Sequence, residues 1–313
     1  MIRKETAMRS LPLLAALLLA TPAAAQSGAF TVDGRGFASL QDAVNAVGGG
    51  TATITIAPGS YRQCAVQQDG RITFQAAIPG KVVFDGTACE GKAALVLRGN
   101  ASIVDGIVFR NMVVRDGNGA GIRIENGDLT VKNAMFLDSQ EGILGNEQGG
   151  ARVVIDHSTF SGDGTCDAAY DCAHSIYLAT DGSVTVTNSR FERGQGGHYV
   201  KLRTPKLTIA DNSFDDSHGH KTNYMIDLPN GGTGTITGNT FVQGKDKENW
   251  SAFITIAAEG KKFSSNGLAI RGNTASLAPG IDRNPVFVAD LGGDALTIAD
   301  NKLGVGIRRF EER

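Results

Sequence analysis

Leu207-Thr208-Ile209-Ala210-Asp211-Asn212-Ser213-Phe214 sets the pattern of the chain: alternating β-favouring residues, a polar corner with an asparagine, then a phenylalanine. The phrase returns as Leu129-Thr130-Val131-Lys132-Asn133-Ala134-Met135-Phe136 and as Val184-Thr185-Val186-Thr187-Asn188-Ser189-Arg190-Phe191. Shorter copies are Val108-Phe109-Arg110-Asn111, Thr235-Ile236-Thr237-Gly238-Asn239-Thr240-Phe241, Leu268-Ala269-Ile270-Arg271-Gly272-Asn273 and Leu296-Thr297-Ile298-Ala299-Asp300-Asn301. One more, Val153-Val154-Ile155-Asp156-His157-Ser158-Thr159-Phe160, has His157 in the asparagine place. Alternation over such short runs marks strands with one buried face.

The recurring position, at 111, 133, 157, 188, 212, 239, 273 and 301, steps by 22, 24, 31, 24, 27, 34 and 28 residues. Self-similarity at such a period specifies a solenoid, in which insertions lengthen single turns without moving the buried register. The asparagines, and His157 with them, read as a ladder whose side chains satisfy backbone groups at each bend. With 41 glycines and few aromatic residues, the fold expected is all-β: a single-stranded right-handed parallel β-helix. Ser39 to Val47 reads as a short amphipathic helix covering the open N-terminal end, with Ser39 as N-cap and Gly48-Gly49-Gly50 as its stop.

Phe37-Ala38-Ser39-Leu40-Gln41-Asp42-Ala43-Val44, followed by Ile54-Thr55-Ile56-Ala57-Pro58-Gly59-Ser60-Tyr61, resembles the opening of pectin-lyase-like β-helix proteins. The resemblance, coils included, covers about residues 30–305. Gly197-His198-Tyr199-Val200-Lys201 and the run Tyr224 to Gly232 resemble a group of exported bacterial right-handed β-helix repeat proteins. That second resemblance implies a place for the site but no chemistry.

Arg3, Lys4 and Arg9, the apolar run Leu11 to Ala20 and the small residues Thr21 to Ala25 read as a secretory signal peptide over residues 1–25. The β-helix domain is then residues 26–313, secreted or periplasmic. Without those 25 residues the basic count falls from 30 to 27 and the acidic count from 32 to 31, a formal charge of −4. An acidic chain is not expected to bind nucleic acid, and nothing in it is expected to insert in a membrane. The four cysteines read as two disulfides in an oxidising compartment. Cys166 and Cys172 staple one loop, and Cys64 and Cys89, one coil apart, meet across neighbouring turns.

Each coil carries a second strand before its asparagine phrase. Aligning these strands on Ile122/Ile124, Ile176/Leu178, Val200/Leu202 and Ile226/Leu228 places Arg123, Tyr177, Lys201 and Asp227 in one outward column. Ala120, His174, His198 and Tyr224 form another, and Arg203 follows Lys201 on the same face. Histidine, lysine and tyrosine are proton-transfer groups, and arginine holds carboxylates. The reading that uses them all is a polysaccharide lyase acting by β-elimination on a uronic-acid polymer. In it Lys201 or His198 is the base, with His174 beside them, and Tyr177 or Tyr224 is the acid. Arg203 is the substrate-carboxylate clamp, and Asp227 orients Lys201 or holds it back by pairing.

The alternative is a non-catalytic glycan-binding or envelope-associated β-helix, whose polar columns serve solubility and edge protection. Departures from the known enzymes bear on this choice. The carboxylate motifs of polygalacturonases are missing, His218-Gly219-His220 inverts their G-H-G, and the D-P-H-D of alginate epimerases is absent. The calcium-binding aspartates of pectate lyases are not recognisable. Lys201 and Arg203 are loosely similar to the Lys/Arg pair of chondroitinase-B-like and alginate lyases, without that family's N…E-x-E ligands. Asp163, Asp167 and Asp171 offer oxygens of the kind calcium takes, in a spacing that matches no metal loop. No metal is assigned, and calcium stays open. The partner expected is an acidic polysaccharide.

Overall fold

A computed structural model describes residues 28–167 and 171–313, and of residues 146–148 the backbone alone. The signal peptide expected over residues 1–25 lies outside the described residues. The chain winds as a right-handed parallel β-helix, each full coil giving one strand to each of three sheets of 12, 10 and 10 strands. Among the described residues only the first sheet has antiparallel members, at its N-terminal edge: Phe30–Val32 pairs with Arg35–Phe37 and with Thr51–Ile56. The helix Leu40–Val47 lies over this end, with Leu40, Ala43 and Val44 buried and the Ser39 hydroxyl accepting the Asp42 N–H at 3.3 Å. No helix among the described residues is long and apolar enough to cross a membrane.

The quoted phrase spans two sheets. Ser183–Thr187 and Lys206–Ala210 pair in the first sheet, with Val184, Val186, Leu207 and Ile209 turned inward. After the corner, the phenylalanines of the second sheet stack one per coil from Phe84 through Phe241, with centroids 4.7–5.8 Å apart. All are fully buried, and offset stacks of this kind add to the burial of their area.

The corner holds a correction. Asn111, Asn133, His157, Asn188, Asp211 and Asp300 take a left-handed backbone, with φ between 45° and 58°. Asparagine and aspartate tolerate that region, and glycine fills it at 238 and 272. Asn212, Asn239, Asn273 and Asn301 are ladder rungs as expected, and in earlier coils the rung is the inward residue after the left-handed one, Ser158 after His157 and Ser189 after Asn188. Ser158 accepts the N–H of Ala134, Ser189 that of Ser158, Asn212 that of Ser189, and Asn239, Asn273 and Asn301 continue in turn. His157 therefore stands outside the ladder: its side chain is exposed and Nδ1 lies 2.7 Å from Asp156.

Cys64 bonds Cys89 across neighbouring coils and Cys166 bonds Cys172 within one loop, so no cysteine is free among the described residues.

Candidate functional site

The third sheet carries the site. Its register sets Arg123 beside Leu144, Leu144 beside Tyr177, Tyr177 beside Lys201 and Lys201 beside Asp227, so the first outward column is as aligned from sequence. The second column, at the strand starts, contains a residue the alignment omitted. Glu141 pairs with Ala120 and stands two residues before Ile143, as His174 stands two before Ile176. The spacing rule that placed His174 would have found it.

A groove of about 840 Å³ opens over these coils. Its floor is Glu141, His174, Tyr177, His198, Lys201 and Arg203. Loops supply the walls: Asp116 and Asn118 on one side, Asp171 and Cys172 from the disulfide loop, and Asn223, Glu248 and Glu259 from later coils. The insertion at 215–223 forms wall rather than lid. His218 and His220 do not line the groove, and His220 pairs with Asp246 at 2.6 Å.

Burial favours the neutral form of both histidines. His174 is pushed well below the ordinary imidazole range by desolvation, helped by the charges of Lys201 and Arg203, and its Nδ1 accepts the His198 backbone N–H at 3.0 Å. Its proton therefore sits on Nε2. His198 is lowered by burial, which Asp227 opposes only in part. Both of its ring nitrogens face acceptors, Nδ1 the Tyr224 carbonyl at 3.3 Å and Nε2 an Asp227 oxygen at 3.4 Å.

The cations are held. Lys201 Nζ donates to Glu259 at 2.7 Å and lies 3.7 Å from Asp227. Arg203 donates to Tyr177 Oη at 2.9 Å, to Asn230 Oδ1 at 2.6 Å and to the second Glu259 oxygen. Burial works to raise Glu259, but Lys201 and Arg203 overcome it and hold its carboxyl below the usual range. Glu259 was not anticipated: it lies on the turn after the strand Ala252–Ile256, more than fifty residues from both partners. Two residues expected to hold substrate, Tyr224 and Asp227, do not line the groove. Asp227 is buried behind it, accepting the Thr255 hydroxyl at 2.7 Å, and the Tyr224 hydroxyl accepts from Asn249 at 2.6 Å.

Glu141 is fully buried. One carboxyl oxygen accepts the His174 backbone N–H, and the other, Oε2, has no partner among the described residues. Burial raises its pKa well above the ordinary value, with Asp163 adding to the rise and Arg123 and Lys201 opposing it. A pKa raised on folding adds stability that is whole below the unfolded value of 4.5 and is lost as pH rises through the folded value. Glu141→Gln cannot ionise, so its unfolding free energy should gain on the wild type between pH 4.5 and the folded value, by at most about 1.4 kcal/mol per pH unit. Parallel pH dependence of the two proteins in urea unfolding would refute this.

The calcium ligands considered from sequence do not come together. Asp163 is buried and accepts the Ser139 N–H, Asp167 pairs with Lys221 at 2.9 Å, and Asp171 stands at the groove wall. Among the described residues, the one cluster of ligand-type atoms is Cys166, Cys172 and Glu248, whose sulfurs are spent in a disulfide.

The coils and their register define a right-handed β-helix repeat protein. The chain belongs to the family described as right handed beta helix region, whose model matches residues 93–284. No curated protein matches its sequence. Among solved structures it is similar to the Streptococcus pneumoniae surface protein and adhesin PfbA, at 12% identity over 87% of this chain and 94% of that one, with a TM-score of 0.40.

Proposed function

We propose that the chain is an exported glycan-binding β-helix protein, its domain of residues 26–313 freed by removal of the signal peptide. The observation that carries the binding reading is the closed ion-pair network. Lys201 and Arg203, the groove's two cations, are matched within the protein by Asp227 and Glu259. A cation so paired is withheld from proton abstraction and from clamping a substrate carboxylate. What remains accessible is a floor and walls of amide, hydroxyl, imidazole and carboxylate groups, which suit a ligand dense in hydroxyls. Two disulfides support an oxidising destination.

One observation favours a second reading, a uronate-cleaving lyase of the pectin-lyase-like kind. His198, its charged form disfavoured by burial, lines the groove, and Tyr177 Oη accepts from Arg203 with its own O–H left to donate. For that chemistry Glu259 would have to leave Arg203. Calorimetric titration with neutral, acidic and amino oligosaccharides, followed by ultraviolet absorbance for unsaturated uronate, tests both. The binding reading expects a titratable complex without products, weakened about tenfold by Tyr177→Ala, roughly 1.4 kcal/mol. Products that disappear in His198→Ala would replace it with the lyase reading.

A further inference from the structure

The groove's unmatched capacity is all of one kind. Asp116 and Glu248 accept neutral bonds, from the Asn118 N–H at 3.1 Å and the Asn223 amide at 2.7 Å. Among the described residues neither they nor Asp171 meets a lysine, arginine or histidine within ion-pair distance. Lys201 and Arg203 are already answered by Glu259 and Asp227. Five carboxylates, those of Asp116, Asp171, Asp227, Glu248 and Glu259, thus stand against two cations in and behind the groove.

A second observation is independent of these walls. Glu141, at the floor, is fully buried and leaves Oε2 without a partner. A buried carboxyl group with one oxygen left unpaired is costly unless a ligand or water bonds to it. The walls ask for positive charge, and the floor asks for a hydroxyl that can bond a neutral carboxyl group.

Resting on the glycan-binding reading, we infer that the ligand is a glycan carrying free amino groups, an oligomer of hexosamine units, rather than an acidic polysaccharide. Its ammonium groups meet Asp171 and Glu248 in charge-assisted hydrogen bonds, stronger than those between neutral partners. Its hydroxyls donate to the remaining acceptors. A uronate oligomer would bring further carboxylates to a groove already in excess of them and would have to displace Glu259 from Lys201 and Arg203. Acetylation of the amines removes the charge and leaves the walls unanswered.

The test is calorimetric titration of the purified protein with three hexasaccharides, of glucosamine, N-acetylglucosamine and galacturonate, at a pH where the sugar amines are protonated. The glucosamine oligomer should bind at least tenfold more tightly than either other and should lose that advantage in high salt, where exposed charges are screened. The double variant Asp171→Asn, Glu248→Gln alters exposed side chains and should bring the glucosamine oligomer down to the acetylated one, with an unchanged circular dichroism spectrum. Equal or tighter binding of the acetylated or acidic oligomer would overturn the inference while keeping a glycan site. Binding of none of the three would overturn the glycan reading itself.

Discussion

Asp216→Ala should destabilise the protein by about 3–5 kcal/mol, the range for removing one partner of a buried ion pair. The side chains of Asp216 and Lys247 are both fully buried and meet at 2.9 Å. One Asp216 oxygen accepts from Tyr199 Oη and Thr222 Oγ1, each at 2.8 Å, and the other also accepts the Gly244 N–H at 3.1 Å. Lys247 makes a further bond to Thr222 at 2.9 Å. Desolvation pulls the Lys247 pKa down, and Asp216 is what opposes it. Alanine at 216 leaves the fully buried ammonium with one hydroxyl and strands the Tyr199 hydroxyl and the Gly244 N–H as well.

This corner joins three coils, since Thr222 bridges to Gly197 on one side and to Lys247 on the other. It also anchors the neighbours Asn223 and Glu248, which wall the groove. Urea unfolding measures the loss. The double variant Asp216→Leu, Lys247→Met removes both charges and should recover much of the stability, because a buried pair can be replaced by apolar residues at little net cost. A double variant as unstable as the single one would show that the stranded charge is not the cause.

How much of this was legible in the sequence follows from periodicity. A solenoid repeats its local pattern once per coil, so strand register, the phenylalanine stack and both outward columns could be read from aligned phrases. The corner could not be read to the residue. Asparagine is favoured in a left-handed corner, where Asn133 and Asn188 stand, and equally as a buried amide, where Asn212 and Asn239 stand. Composition alone merges the two positions, and the serines Ser158 and Ser189 that extend the ladder carry no signal of their own. Nor could the sequence show what reaches across coils. Glu259 and Lys247 sit on turns of irregular length, and no period links them to Lys201, Arg203 or Asp216. That is why Arg203 looked available in sequence, and Lys201 paired at most with Asp227, while Glu259 engages both in the structure.

The ladder yields the second large effect, and it should depend on place along the solenoid. Asn239 is buried. Its Oδ1 accepts from both the backbone and the side-chain nitrogen of Asn212 at 3.0 Å, and its Nδ2 donates to the Ile209 carbonyl at 2.9 Å and to Asn273 Oδ1 at 3.0 Å. Leucine at 239 provides none of these. It leaves the Asn212 N–H, an Asn212 amide hydrogen and the Ile209 carbonyl unpaired away from water, at about 1–3 kcal/mol each, so a loss of at least about 3 kcal/mol is expected. Asn301 plays the same part at the half-exposed end of the column. Water can answer the groups it leaves, and Asn301→Leu should cost about 1 kcal/mol. Asn239→Ser should fall between, because Ser189 already fills a rung with a hydroxyl that accepts the Ser158 N–H and donates to the Thr187 carbonyl. Coils contact only their neighbours, so a break at 239 should also uncouple those beyond it. Hydrogen exchange should then show protection lost first from residue 240 onward, and a uniform loss along all coils would count against a ladder that couples coil to coil.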